Sequence, residues 1–212
     1  MALFITFEGG EAVGKTTQIA LLADKLRSLN REVVLTREPG GTPLGEELRN
    51  LLKFHPAGKN MSPEAELLLF AAARAQHARE VILPALKAGK TVLCDRYSDS
   101  TTAYQGAARK LAPAQVAQIN SFAVAECIPD ITLYLDLDPA LARRRMIARS
   151  KPGDNKDDRM ESEPLDFYQK VRESFLKIAA AEPDRVHSID AQGTIGEISA
   201  KILDIVGARL NL

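Results

Sequence analysis

The chain contains no tryptophan, only two cysteines and three histidines, and aromatic residues fill just 5% of its 212 positions. Cys94 and Cys127 fall in an apolar strand pattern and near a predicted helix end, so neither a disulfide framework nor a CxxC metal site can be drawn. His55, His77 and His187 are scattered and suggest no ligand cluster. Neither sign of charge prevails, with 28 Lys and Arg against 28 Asp and Glu. There is thus no overall attraction to nucleic acid or an anionic membrane; neither is an expected partner, and any basic site must be local. The longest apolar run, Leu67 to Ala73, falls far short of the roughly 20 apolar residues that span a bilayer. Leu3 to Phe7 runs directly into a glycine loop, without the basic start and small-residue cleavage site of a secretory signal. The expected location is the cytoplasm.

What remains is the composition of one globular core, with 26% of residues charged, and a single domain over 1–212 is expected. Short apolar runs rich in β-branched residues recur at Leu3 to Phe7, Glu32 to Thr36, Thr91 to Cys94, Ile131 to Leu135 and Val186 to Ile189. Each reads as a buried parallel strand. Helical patterns lie between them at about 15–29, 44–54, 62–88, 98–107, 113–127, 138–149, 164–181 and 194–208. Ser62-Pro63 with Glu66 supplies an N-cap, a first-turn proline and acid, and Gly89 stops the same helix. Strands alternating with helices predict an α/β fold: a five-stranded parallel sheet with helices on both faces. One segment breaks the pattern. Ser150 to Pro164 has almost no apolar residue and is crowded with both charges, which reads as a solvated loop or, if it borders the site, as a mobile charged lid over about 150–163.

Gly9-Gly10-Glu11-Ala12-Val13-Gly14-Lys15-Thr16 fits G-x-x-x-x-G-K-[ST], after a strand and opening a helix, which is the context a P-loop needs. Its glycines let backbone N–H groups converge and the helix N-terminus adds positive potential. Lys15 is placed to reach the β and γ phosphates of a nucleoside triphosphate such as ATP, and the Thr16 hydroxyl to ligate Mg²⁺; Thr17 completes the expected nucleotide set. The strand Thr91 to Cys94 ends in Asp95, a candidate second Mg²⁺ holder; Asp136, after Ile131 to Leu135, is the competing candidate. Asp95 is preferred because Arg96 follows it with an anion-binding group. Asn155-Lys156-Asp157-Asp158 matches the guanine-reading string N-K-x-D, but no strand precedes it and neither strand-end aspartate opens D-x-x-G. A switch GTPase is not the expectation.

Phe7-Glu8-Gly9, Thr36-Arg37-Glu38-Pro39-Gly40-Gly41-Thr42, Ala72-Ala73-Arg74, Asp95-Arg96-Tyr97, Ala103-Tyr104-Gln105-Gly106, Tyr134-Leu135-Asp136 and Asp158-Arg159-Met160-Glu161 occur in this order. Together they resemble bacterial thymidylate kinases, from about residue 3 to about 190. The resemblance implies a P-loop NTPase-type sheet, a homodimer, and transfer of a phosphoryl group from ATP to dTMP, giving ADP and dTDP. In similar enzymes the residue matching Phe70 stacks on thymine and that matching Arg74 reads a base carbonyl. The two are four apart and share a helix face. The resemblance also implies that Arg49 and Arg96 hold the monophosphate and that Glu11 receives the sugar 3′-hydroxyl. By the same likeness Tyr104 excludes a ribose 2′-hydroxyl, Gln105 bonds the base, and Glu38, Pro39 and Thr101 complete the acceptor set. Arg37 is open between a substrate contact and an ion pair with a neighbouring acid.

Some thymidylate kinases carry a basic residue where this chain has Ala12, so charge at the transition state must come from elsewhere. Arg143 and Arg149 lie near the end of the helix leading into the charged loop and Arg159 lies within it. Arg149 and Arg159 are the expected catalytic guanidiniums beside Lys15 and Arg96, since a planar fork matches phosphate oxygens; Arg143 is expected on the ATP side. Two other readings stay open: a different nucleoside-monophosphate kinase, differing at Phe70, Arg74, Tyr104 and Gln105, and a P-loop ATPase or nucleotide-binding module without an acceptor.

Overall fold

The computed structural model describes residues 2–149 and 158–210, and of Arg149 only the backbone. Five strands, β1 (Phe4–Glu8), β2 (Val33–Arg37), β3 (Thr91–Asp95), β4 (Ile131–Asp136) and β5 (Val186–Asp190), form one sheet in the order β2-β3-β1-β4-β5, all parallel. β1 is the hub, with Ile5 facing Leu93 on one side and Ile131 on the other. Alternation along it sorts the two faces. Ile5 and Phe7 point into an aliphatic cluster with Leu22 and Leu26 of helix α1 (Lys15–Ser28) and Ile202 and Val206 of the C-terminal helix Ile195–Leu210. Phe4 points the other way, edge-on to Tyr97 with ring centres 5.0 Å apart. On that face Thr6 meets Thr132, oxygen to oxygen at 2.8 Å, and Glu8 is buried completely.

β1 connects to β2 on one side and its neighbour β3 connects to β4 on the other, so the connections diverge between β1 and β3, and ligand crevices form at the carboxyl ends of strands at such a point. The P-loop leaves β1 there and the Arg96 turn leaves β3 there. α1 begins at Gly14, in a left-handed conformation (φ 101°) with no capping side chain, so its first N–H groups are left for an anion.

α2 (Pro43–Lys53) is capped by Thr42, whose hydroxyl accepts from Gly45 N, and α3 (Pro63–His77) by Ser62, which accepts from Ala65 N, with a proline opening each. The single helix expected over 62–88 runs unbroken over 63–87, with a π-helical stretch in its middle. Between α3 and α4 (Leu83–Lys87) the chain makes a wide turn at Ala78–Ile82. Pro84 has no N–H to offer the Glu80 carbonyl, and the ladder widens ahead of it. α5 (Ser98–Thr101) likewise opens into a wide turn over Thr102–Ala108, closed by Arg109 N donating to Tyr104 O at 2.9 Å; such turns gather at functional sites. α6 (Pro113–Val124) packs on α3, while α7 (Pro139–Arg149) and α8 (Leu165–Ala181) flank β4, and Ile195–Leu210 is α9. Phe167, Val171 and Phe175 of α8 close over Tyr104 and Tyr134. Among the described residues no helix is long and apolar enough to cross a membrane. Residues 150–157 of the expected lid, with Lys151, Lys156 and most of the N-K-x-D string, lie outside the described residues.

Candidate active site

A cleft of about 200 Å³ opens at the carboxyl ends of β1 and β3. Ala12, Val13, Gly14, Lys15, Thr16 and Thr17 line one end, Phe70, Arg74, Tyr104 and Gln105 the other, and Glu11, Arg49, Asp95 and Arg96 lie between. The loop's conformation is set by hard contacts. Gly9 has φ 134° and a side-chain carbon there would stand 2.6 Å from the Leu135 carbonyl oxygen, so only glycine fits. Lys15 folds back over the loop, its Nζ donating to Gly10 O at 2.7 Å and Gly9 O at 3.3 Å. Burial and the nearby Arg96 lower its ammonium below the usual lysine value, against the pull of Asp95, Glu11 and Glu8.

Arg96 ties the two sides of the cleft together. Its Nη1 donates to Gly9 O at 2.8 Å, its Nη2 to Glu11 Oε1 at 2.6 Å, and its guanidinium lies 5.2 Å above the Tyr104 ring. The residue holds a left-handed backbone (φ 69°), which its hydrogen bonds enforce: Arg96 N donates to Phe7 O, and Tyr97 N to Glu8 Oε1 at 2.8 Å. Burial acts to raise the Glu11 pKa, but Arg96, Lys15 and Lys53 outweigh it and hold that carboxyl down at about 2. Glu8 is the opposite case. Burial, with Asp99 nearby, pushes it up to about 7, although Ser100 Oγ and the Tyr97 and Ser100 amides donate to it.

The two strand-end aspartates differ in what they have left to offer. Both oxygens of Asp136 are taken by Arg172, at 2.7 and 2.8 Å, and one also accepts from Tyr134 Oη. Asp95 Oδ1 is buried in the cleft with no hydrogen-bond partner among the described residues. Among the described residues no group of three or more His, Cys, Asp or Glu could hold a metal ion unaided. A divalent cation would therefore draw most of its oxygens from nucleotide phosphate and water, with Asp95 and Thr16 adding one each.

At the acceptor end Arg74 is 1% exposed and four of its five N–H bonds are spent: Nε on Glu38 at 2.8 Å, Nη1 on Thr101 Oγ1 and Asn120 Oδ1, and one Nη2 proton on Tyr97 O. Thr101 Oγ1 and Glu38 Oε2, expected on the acceptor, thus accept from Arg74, and the other Glu38 oxygen faces His77 Nδ1 at 2.9 Å. Phe70, half-buried, lies outside the three clusters of core side chains and lines the cleft. Gln105 donates its amide to Glu66 Oε1 at 2.7 Å, which leaves its carbonyl oxygen as the remaining acceptor. Tyr104 is buried with its hydroxyl unpartnered, and burial pushes its pKa up. Arg49 donates to Pro39 O at 3.0 Å and borders the cleft with Pro39 and Lys53. Arg37 pairs with Glu46 at 2.9 Å, the ion-pair alternative.

The expected lid arginines stand in different places. Arg159 does not line the cleft. Its Nη2 stands 2.7 Å from Glu66 Oε2, paired although angled off a hydrogen bond, and its Nε donates to Leu52 O. A Glu66 carboxylate 1% exposed needs cations, and Arg109 and Arg159 supply them. Arg143, exposed, borders a smaller recess beside Gly10 and Glu11, and the Arg149 side chain lies outside the described residues. Sequence reading missed Lys53, paired with Asp158 at 2.6 Å; it follows Arg49 by four residues, so the helical period was an available signal. It also missed Ser100, Met160 and His77, for which no local pattern speaks.

The thymidylate kinase family model matches residues 7–202. The thymidylate kinase of Syntrophotalea carbinolica is 48% identical over 215 residues, covering 100% of this chain and 98% of that protein. That of Synechococcus sp. strain JA-3-3Ab is 50% identical over 208 residues, covering 98% and 97%. The crystal structure of thymidylate kinase from Ehrlichia chaffeensis superposes with a TM-score of 0.78 at 35% identity, covering 97% of this chain and 98% of that one. With a five-stranded parallel sheet, a P-loop at its switch point and likeness of this extent, the chain belongs to the thymidylate kinase family.

Proposed function

We propose that this chain transfers the γ-phosphoryl group of ATP to dTMP, releasing dTDP and ADP, and so works in the supply of dTTP. One observation carries the reading: a single cleft joins a phosphate loop to a base-sized wall of Phe70, Arg74 and Gln105, with Arg96 midway. An oxygen of the dTMP phosphate attacks the γ-phosphorus, the bond to the β-γ bridging oxygen breaks, and ADP leaves with that electron pair. Little covalent chemistry is asked of the protein; it aligns the reactants and balances charge. The P-loop amides and Lys15 hold the donor phosphates. Arg96 and Arg49 hold the acceptor phosphate, and Glu11, kept ionised by Arg96, accepts a hydrogen bond from the 3′-hydroxyl. Phe70 stacks on thymine, the fifth N–H of Arg74 meets a base carbonyl, and Tyr104 fills the space a 2′-hydroxyl would need. Thr16 and the unpartnered oxygen of Asp95 would hold Mg²⁺, which neutralises phosphate charge when bound. Arg149 and Arg143 remain the candidates for the donor side.

A homodimer fits the exposed apolar side chains Leu68, Phe122 and Ile128, on or just after two helices that pack together. The free, buried Cys94 and Cys127 support a reducing compartment, the cytoplasm. The deciding assay supplies ATP with dTMP, dUMP, dGMP, AMP or UMP and follows the diphosphate. dTMP is expected to turn over fastest. Rapid turnover of AMP without dTMP, or ADP release with no phosphorylated product, overturns the reading.

A further inference from the structure

His77 is fully buried on the last turn of α3, three residues after Arg74, and no step of the proposed reaction uses it. Its Nδ1 lies 2.9 Å from Glu38 Oε1 and its Nε2 2.6 Å from Thr36 Oγ1. The other Glu38 oxygen, Oε2, accepts from Arg74 Nε at 2.8 Å. The four residues thus form one buried chain, Thr36–His77–Glu38–Arg74, running from the end of β2 to the base end of the cleft. An ionised carboxylate only accepts, so the ring presents a proton to Glu38 from Nδ1, and the Thr36 hydroxyl holds the ring at Nε2. The backbone is shaped around that ring. Gly41 has φ 80°, and a side-chain carbon there would come within 2.8 Å of His77 Cδ2.

We infer that His77, backed by Thr36, is a positioning residue that locks Glu38 and through it the Arg74 guanidinium, and so sets the preference for a pyrimidine carrying a carbonyl rather than an amino group at C4. The inference rests on the base-reading role proposed for Arg74. A guanidinium with four committed N–H groups can turn its fifth in one direction only, provided Glu38 cannot rotate. Glu38 has two oxygens and two partners. Remove the His77 bond and the carboxylate is free to swing about its remaining contact, carrying Arg74 with it. A C4 carbonyl accepts a hydrogen bond, whereas the amino group of a cytosine in the same place is a donor that meets Arg74 donor to donor.

The test compares kcat/KM for dTMP and dCMP in wild type, Thr36→Val and His77→Phe. Thr36→Val keeps shape and strand propensity, so it reports even where the buried ring substitution impairs folding. The wild type is expected to favour dTMP strongly, since a site built around a hydrogen bond rejects a ligand that cannot make it. Each variant is expected to lose about tenfold or more of that ratio, through a higher KM for dTMP at unchanged KM for ATP. A residue that only supported the fold would lower both acceptors and ATP alike. A natively folded Thr36→Val that keeps the wild-type dTMP to dCMP ratio overturns the inference. A wild type that turns over dCMP as readily as dTMP overturns the base-reading role itself, before any variant is made.

Discussion

Arg96 Nη2 stands 2.6 Å from Glu11 Oε1, a bond that joins the turn after the third strand to the interior of the phosphate loop. It brings an acceptor-side cation and a loop carboxylate 85 residues apart in sequence into one group. Each holds the other in its charged form: Glu11 and other acids keep the partly buried guanidinium protonated, and Arg96 leads the cations that keep the partly buried carboxyl ionised.

Lys15→Ala is expected to lower kcat by at least ~1,000-fold, because the ammonium acts on charge that develops in the transferred group. Its hydrogen bonds to Gly9 O and Gly10 O are local to the loop, so the melting temperature should move by only a few degrees. Coupled detection of ADP together with thermal melts checks both halves. Near wild-type turnover would remove the loop from the mechanism.

Glu8 and Glu11 should leave signatures in different pH windows. The folded-state pKa of Glu8 is raised to about 7, so its contribution to stability is complete below about pH 4.5 and is lost as pH rises through 7. Glu8→Gln keeps an acceptor for the Tyr97 and Ser100 amides and removes the titration. Its melting temperature should therefore depend less on pH than that of wild type between pH 4.5 and 7. Glu11, held at about 2, contributes above pH 4.5 and loses that contribution as pH falls toward 2. Melting curves of each Gln variant that run parallel to wild type across these windows would contradict the assignments.

Tyr104 separates packing from filtering. Its ring sits under Arg96 and 5.9 Å from Phe167, so Tyr104→Ala should cost about 3–5 kcal/mol, as large-to-small changes of buried aromatics do. Its hydroxyl is buried without a partner, so Tyr104→Phe should melt at or above the wild-type temperature. If that hydroxyl excludes ribose, Tyr104→Phe raises turnover of UMP relative to dUMP. An unchanged ratio in both variants would make Tyr104 a packing residue alone.

Arg159 and Arg149 should behave differently, although one expectation covered both. Arg159 is committed to Glu66 and Leu52 O, and Glu66 also holds Gln105. Arg159→Ala should therefore raise KM for dTMP and lower the melting temperature, by about 1–3 kcal/mol in stability, while kcat stays within ~10-fold. Arg149→Ala is expected to lower kcat at least ~100-fold with dTMP affinity little changed. Steady-state constants for both single variants and the double variant decide it. A collapse of kcat in Arg159→Ala at constant KM would restore Arg159 to the phosphates.

Much of this molecule is written in short stretches of chain. The apolar runs forecast all five strands, most plainly β1, β3 and β4, which are buried along nearly all their length and so must be apolar over five or six consecutive residues, whereas the edge strands β2 and β5 are partly exposed. The P-loop motif was legible for the same reason: Gly9, Gly14, Lys15 and Thr16 lie in and just after a single turn between β1 and α1, so their spacing is the geometry. The caps at Thr42 and Ser62 act within one helical turn, although only the second was read in advance.

The remainder depends on who meets whom across the sheet. Asp95 and Asp136 look alike as strand ends; Arg172 of the eighth helix takes both oxygens of Asp136, while Asp95 Oδ1 has no partner among the described residues. Arg159 reads as a phosphate ligand until Glu66, almost a hundred positions earlier, is found beside it needing a counter-charge. Glu38, Arg74 and His77 become one buried unit only when α3 lies along the end of β2. Periodicity encodes which face of an element is apolar. Which hydrogen bonds a buried polar group has left to offer is set by its neighbours in space, and the packing of distant elements decides that.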